Sequence, residues 1–577
     1  MNKRSYRRRR RGIPRGYVYV AAFLVAAVIL VGLIIGIVRY TPTKEHLSLS
    51  EYYSLSGTNQ AAVMFEDQIM EVSDDLGHAY ALIEGKNVYL EIGFVKEYLD
   101  DGFVYDDSEV TLRYATDSQI FTTVLGTTDY TVDKSNEKLD INTMVAQDDT
   151  VYVAVDYLKL LTDFECTYYA SPARVLIERA GYEKEISSAK AKTQIRKLNG
   201  PKSPILEDVE KGEKITKIRE TGKWSFVVSE KGVMGYMRNN KLSKSEKVTV
   251  SKKLPERNYN HIKFGSDICM GWQQVTNQVA NQSITDVLAK SGNINVISPT
   301  WFYLNNNNGG IASLASSAYV DCCHQNNVQV WALVSNFEDD SVDTEKVLNS
   351  TSSRDNLVNN LIVQAIKYGF DGINVDFEEL PGAAADGYIQ FIKELSIKCE
   401  NNDIILSVDN YVPDDSNACY NRKEQAKYAD YVIIMGYDEH YAGSEEAGSV
   451  ASYGWVKQGI ENTLNDVPAN QVVLGIPFYG RAWEVKDGKV VSSSILSIAS
   501  TNKFLSSHSM SASWDDEVKQ KYAESVQGDT TTMVWAEDAV SIEEKLKLLK
   551  SENLAGGAFW KLGLENSDIW NVVVKYL

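Results

Sequence analysis

The chain has 577 residues, too many for one ordinary core, so two to four domains are expected. Its 59 basic and 78 acidic residues give a net charge of -19, yet the first 40 residues hold nine basic residues and no acidic one, leaving -28 on the remainder. Such an acidic body argues against nucleic acid as a partner, because phosphate binding needs a basic surface; a neutral polymer stays open. Six cysteines are too few for a disulfide scaffold, and no Cys-x-x-Cys pair or Cys/His cluster has metal-ligand spacing.

Residues 1–16 form a basic tail with an unbroken run from Arg7 to Arg11, followed by 22 uncharged residues, Tyr17 to Val38. That length crosses a bilayer as a helix, and the basic side is expected to stay in the cytoplasm, placing the rest of the chain outside. A cleaved signal peptide would have a shorter apolar stretch ending in small residues, whereas this one ends Ile37-Val-Arg-Tyr40. The expectation is therefore an uncleaved single-pass anchor.

Residues 57–182 alternate short strand-like runs with turn clusters. Val88-Tyr-Leu-Glu-Ile-Gly-Phe-Val95 lines up with Val151-Tyr-Val-Ala-Val-Asp-Tyr-Leu158, and each copy continues into a short helical stretch and a strand (Val110 to Tyr114; Arg174 to Glu178). Two such units predict a small α+β module, and the pattern resembles the non-catalytic stalk domain at the N-terminus of copper amine oxidases, a resemblance that implies no copper ligands. Residues 189–246 read as short strands broken by Lys-Gly and Thr-Gly turns, with Trp224 and Tyr236 as notable aromatics. This segment resembles a bacterial Src-homology-type small barrel. The resemblance implies either contact with cell-wall peptides or a spacer whose aromatics are core.

Residues 260–577 alternate apolar strand-like runs with helical stretches. Eight runs begin near Ile262, Asn293, Val328, Gly372, Ile404, Tyr431, Val472 and Gly556, with an insertion around Trp483 to Glu537. Eight βα units predict a (β/α)8 TIM barrel with its site at the C-terminal ends of the strands. In the fourth run side chains alternate, so Asn374, Asp376 and Glu378 point into the barrel while Ile373, Val375 and Phe377 face the helices. Burying this polar file is costly unless its members bond one another. Two carboxyls one strand repeat apart resist joint ionisation, which raises one toward the range a general acid needs. Buried water or a structural cation is the alternative reading of such a file.

Asp371-Gly-Ile-Asn-Val-Asp-Phe-Glu378 is similar to the Asp-x-x-Asp-x-Asp-x-Glu signature of family 18 glycoside hydrolases. Met435-Gly-Tyr-Asp438, Gly475-Ile-Pro-Phe-Tyr-Gly-Arg481 and Gly557-Ala-Phe-Trp560 resemble that family's later strand ends, in the right order. The resemblance implies a retaining, substrate-assisted mechanism on an N-acetylated glycan, without metal or cofactor. Glu378 is the implied acid, Asp376 the group that holds the acetamido N–H, and Tyr437 the donor to the acetamido oxygen. Asp438 and Trp560 are implied sugar contacts. Asn374, Tyr479 and Trp301 are further candidates for the sugar groove, with Trp272, Tyr303 and Trp483 also at strand ends. Arg481 reads equally as a substrate ligand or as the partner of a carboxylate.

Two departures stand out. Asn374 replaces the pattern's second aspartate, and an amide cannot take up charge. Trp331-Ala-Leu-Val-Ser-Asn336 lacks the Gly-Gly ending of chitinases and, with Ser298-Pro-Thr-Trp301, looks closer to the bacterial branch containing spore-cortex-lytic N-acetylglucosaminidases. The leading expectation is hydrolysis of β-linked N-acetylglucosamine in peptidoglycan, because a tethered enzyme meets the polymer beside its own membrane. A chitinase, an endo-β-N-acetylglucosaminidase and a catalytically weak sugar-binding protein of the same fold are the alternatives.

Overall fold

A computed structural model of the chain describes residues 15–54, 57, 59–70 and 78–577. The run Arg7 to Arg11 lies outside them. A helix spans Arg15–Tyr40; its mean hydropathy reaches 3.1 over an 18-residue window and none of its side chains is buried in the protein. It is long and apolar enough to cross a bilayer, a property that signal sequences share.

The chain divides into two compact units. The first contains the described residues up to Asp101 together with Asp140–Pro255. Its first sheet pairs Asn87–Glu91 directly with Thr150–Ala154, antiparallel, so the corresponding strands of the two sequence copies are neighbours. Each runs into a short helix, Ile92–Phe94 and Val155–Leu158. Its second sheet has seven antiparallel strands between Glu183 and Thr249, packed over Ile195, Val209, Ile215, Val227 and Met237. Trp224 is buried there, under the guanidinium of Arg238.

The second unit comprises Gly102–Leu139 and Glu256–Leu577. Its centre is a closed barrel of eight parallel strands: β1 (Ile268–Gln273), β2 (Val296–Leu304), β3 (Gln329–Ser335), β4 (Gly372–Asp376), β5 (Ile405–Tyr411), β6 (Tyr431–Met435), β7 (Val472–Pro477) and β8 (Gly556–Trp560). Alternation divides the apolar side chains as it must in a strand. Met270, Val296, Trp331, Leu333, Ile433 and Val473 fill the inside, while Ile297, Val334, Ile373, Val375, Val408 and Phe559 pack outward against helices. Gly372 faces Trp331; a Cβ there would lie 2.6 Å from the indole, so the glycine admits the ring.

Seven of the eight strands begin within three residues of their expected starts, but β1 begins at Ile268 and not near Ile262. The backbone N–H of Ile262 goes to the Asp430 carboxylate at 2.5 Å and that of Phe264 to the Tyr431 hydroxyl at 2.8 Å. Phe264 then packs edge-on against Trp331, so this apolar run covers the closed end of the barrel. Between β7 and β8 the insertion forms a five-stranded antiparallel sheet from Tyr479 to Ala536 with a helix, Ile498–Ser507.

Gly102–Leu139 falls within the range read as the α+β module, yet it belongs to the barrel unit. Its strand Thr111–Ala115 lies in a separate five-stranded meander and is no counterpart of Ala173–Arg179. The meander docks on α1 (Thr351–Tyr368) and α2 (Ala385–Glu400). Asp106 accepts the Thr351 N–H at 2.6 Å, and Glu109 accepts the Ser352 N–H at 2.9 Å. These N–H groups have no partner inside the helix, and the helix dipole favours negative charge beside them. Arg113 donates to Asp355 at 2.6 and 2.9 Å and to Glu394 at 3.0 Å, with Glu394 only 1% exposed.

Removing one partner from a buried ion pair leaves a charge without compensation. Arg113→Met is expected to destabilise the barrel unit by about 3 kcal/mol, read as a lower denaturant midpoint of the full chain. An unchanged midpoint would show that the docked meander contributes nothing. Burial pushes the Asp106 carboxyl up, but the N–H of Thr351 and the hydroxyl of Ser108 outweigh it and hold it below the usual range. That contribution is therefore present near neutrality and is lost as pH falls through the carboxylate range.

Candidate active site

The site is built at the C-terminal ends of the strands, and β4 carries its central file. Ile373 and Val375 anchor the outer face, which leaves Asn374 and Asp376 inside and fully or nearly buried. Glu378 follows at the mouth, half-buried, and the chain turns away at Glu379 with φ 51°. The side chain of Asn336, just beyond β3, fixes this exit. Its Oδ1 accepts the Glu378 N–H at 2.8 Å and its Nδ2 donates to the Glu378 carbonyl at 3.0 Å.

Asn374 uses all of its bonding capacity. Its Oδ1 accepts from Trp272 Nε1 at 2.9 Å and from Ser298 Oγ at 3.0 Å; its Nδ2 donates to Ser407 Oγ at 3.1 Å and to Asp409 Oδ1 at 2.8 Å. It lies beneath the cavity and does not line it. The expected sugar contact at this position is replaced by a structural node joining β1, β2, β4 and β5.

The cavity above has a volume of about 280 Å³ and is lined by Trp272, Asp376, Glu378, Asp409, Tyr411, Tyr437, Asp438 and Trp560, with Glu338, Phe337 and Thr300 at its sides. Burial holds the Glu378 carboxyl above the usual carboxylate range; the Tyr411 hydroxyl, donating to Oε2 at 2.7 Å, opposes the shift, and the charges of Asp438, Glu379 and Glu338 add to it. Asp376 is pushed well above its usual range by burial and then by Asp409, Glu378 and Glu338. Its Oδ1 is buried and has no hydrogen-bond partner among the described residues.

Of the residues singled out in the sequence, Glu378, Asp376, Tyr437, Asp438 and Trp560 are brought together around this cavity. Tyr479 acts one step back, its hydroxyl donating to Asp438 Oδ1 at 2.6 Å. Asp438 holds a left-handed backbone at φ 62°, a strained choice for a residue with a Cβ. Arg481 lies outside the lining; it donates to Ser493 Oγ at 3.1 Å and sits over Trp483, and its Nε has no partner among the described residues.

Trp301 is not in the groove. Ser298 and Thr300 point inward, so strand parity turns Trp301 outward, where it is fully buried against Tyr319 and Phe370 and donates to Asn281 Oδ1 at 2.9 Å. Trp483 is buried as well and donates to the Gly448 carbonyl. Asp409, Tyr411 and Glu338 are cavity residues that the sequence reading passed over. A signal existed for the first two, since Ser407, Asp409 and Tyr411 form a second polar file with a period of two on β5.

Residues 232–565 match the model of the glycosyl hydrolases family 18. The chain belongs to that family. An uncharacterized glycosylase of Bacillus subtilis (strain 168), YvbX, is 30% identical over 288 residues, covering 46% of this chain and 80% of the relative. A cortical fragment-lytic enzyme of the same organism is 28% identical over 274 residues, covering 43% of this chain and 62% of the relative. Among solved structures, a C-terminal domain from Desulfitobacterium hafniense DCB-2 matches with a TM-score of 0.50 at 18% identity, over 54% of this chain and 98% of that domain. The last likeness concerns the fold.

For this family 18 hydrolase the Tyr411 hydroxyl opposes the burial and the neighbouring charges that raise Glu378. Tyr411→Phe removes a donor that favours the carboxylate, so the Glu378 carboxyl rises further. The expected outcome is a basic limb of the kcat/KM profile displaced to higher pH. A limb that stays in place or moves down would separate Tyr411 from the titration of Glu378.

Proposed function

We propose that the protein hydrolyses β-linked N-acetylglucosamine in peptidoglycan by a retaining, substrate-assisted route. The observation that carries this reading is Asp376 Oδ1, a buried carboxyl oxygen on the wall of the cavity that has no donor among the described residues. Buried polar atoms are normally paired, and the missing partner fits an acetamido N–H of the substrate. Glu378, whose carboxyl burial raises above the usual carboxylate range, gives its proton to the glycosidic oxygen as the bond to the anomeric carbon breaks. The acetamido carbonyl oxygen attacks that carbon and forms an oxazolinium ion, whose positive charge Asp376 faces. Water then opens the ring as the Glu378 carboxylate takes its proton, which restores both the acid and the anomeric configuration.

Tyr437 is the proposed donor to the acetamido oxygen and Asp438 a proposed sugar contact, with Tyr479 positioning it. Trp560, edge-on to Trp272 with ring centroids 5.9 Å apart, offers a face on which the pyranose stacks. The wall polymer is favoured over soluble chitin by the apolar Arg15–Tyr40 helix, read as an anchor with its basic flank in the cytoplasm. The cortex-directed name of one relative points the same way.

The test is to incubate detergent-solubilised full chain and its Glu378→Gln variant with purified peptidoglycan, N-acetylated chitin oligomers and glycopeptides, and to identify new reducing ends by mass spectrometry. Release from peptidoglycan by the wild type, lowered by roughly 10²-fold or more in the variant, is expected. Equal release by both would remove Glu378 from the mechanism. Release from chitin alone would move the substrate, and binding without release would make the protein a lectin.

A further inference from the structure

The reading above leaves unexplained why an asparagine stands below Asp376 and why a second buried carboxyl, Asp409, faces the same cavity. Register answers part of this. β4 and β5 are parallel neighbours paired Asn374 to Ser407 and Val375 to Val408, so continuing the ladder sets Asp376 level with Asp409. Both point inward, and neighbouring strands lie about 4.8 Å apart. Asp376 is 7% exposed and Asp409 2%.

We propose that Asp409 is a positioning residue that shares one proton with Asp376, so that the carboxyl pair of this site lies across two strands and not along one. The proposal rests on the substrate-assisted reading. Asn374 is then the organiser of the pair. Its Nδ2 donates to Asp409 Oδ1, which a carboxylate at this position could not do, while its Oδ1 is held by Trp272 and Ser298 and cannot turn. A carboxylate at position 374 would face Asp409 with like charge.

The groups that face the pair are Glu378 from β4, Glu338 beyond β3, Tyr411 from β5, Tyr437 and Asp438 beyond β6, and Tyr388 from α2. Among the described residues no lysine or arginine lines the cavity. Arg481 acts on Asp438 and Arg422 on Tyr388, but neither lines the cavity, and two adjacent buried carboxyls with no cation between them retain a proton. The donor on Asp409 Oδ1 favours charge there, so in the free protein the proton rests on Asp376. When an acetamido N–H arrives, Asp376 must accept, and its proton passes to Asp409. The pair keeps a charge of -1 throughout, and the proton returns when product leaves.

Two measurements test this on the full chain. Infrared difference spectra of the free protein in the Glu378→Gln background, with and without Asp409→Asn, read the protonated carboxyl directly and need no turnover. Removing the negative neighbour lowers the Asp376 carboxyl, so a protonated-carboxyl band near neutral pH is expected to disappear with Asp409→Asn. Identical spectra would overturn the proposal whatever the substrate proves to be. In the Glu378-containing enzyme, Asp409→Asn is expected to lower kcat by about tenfold or more and to displace the pH profile toward acid. The exchange Asn374→Asp with Asp409→Asn can keep the four hydrogen bonds by reversing two, those with Ser407 and with position 409, and is expected to recover most of the loss. A kcat loss with an unmoved pH profile and no recovery in the exchange would make Asp409 merely structural, while leaving the role of Glu378 standing.

Discussion

The amide of Asn374 binds four strands of the barrel at one point. Trp272 on β1 and Ser298 on β2 donate to its oxygen, and its nitrogen donates to Ser407 and Asp409 on β5. A buried amide is costly when any of these bonds is missing and specific when all are made. Everything above it depends on this level being fixed. Asp376 stands one repeat higher on β4, Asp409 is tethered directly, and Trp272, oriented by its bond to Asn374, offers its ring edge-on to Trp560 and Tyr437.

The acidity of the cavity follows from what surrounds it. Asp376, Glu378 and Asp409 all lie above their usual range, with burial the leading cause for each. They are distinguished by their donors. Asp409 has Asn374, Glu378 has Tyr411, and Asp376 has none on Oδ1 among the described residues. Three carboxyls of one chemistry thereby sit in three different environments, set by burial and hydrogen bonding residue by residue. Placement on rigid strand ends, with Asn336 clamping the backbone of Glu378 on both sides, keeps the arrangement from relaxing.

The barrel was legible because its strands announce themselves as apolar runs, and β4 because a polar file with a period of two alternates there with an apolar one. β1 was misplaced because Ile262 and Phe264 are as apolar as a strand, although their N–H groups are satisfied by Asp430 and Tyr431. Trp301 was misassigned because nearness to a strand end was read without parity; Thr300 beside it is the inward residue. Asp409 lies outside the signature strand, and its place beside Asp376 comes from register between strands, which no single segment encodes. The membership of Gly102–Leu139 in the barrel unit was hidden for a related reason. Arg113 and Glu394 are 281 positions apart, and nothing local to either marks the pair.

That separation bears on the order in which the protein is made. At about 5–20 residues per second, roughly 15–55 s pass between synthesis of Arg113 and synthesis of the helix that receives it. During this interval the meander has both of its edge strands, Phe103–Asp106 and Ser135–Lys138, and no surface to rest on. The outermost one is covered in polar and charged side chains, Ser135-Asn-Glu-Lys138, a composition that discourages pairing with other chains. Newborn copies are thus guarded against one another until the helices that receive the meander arrive.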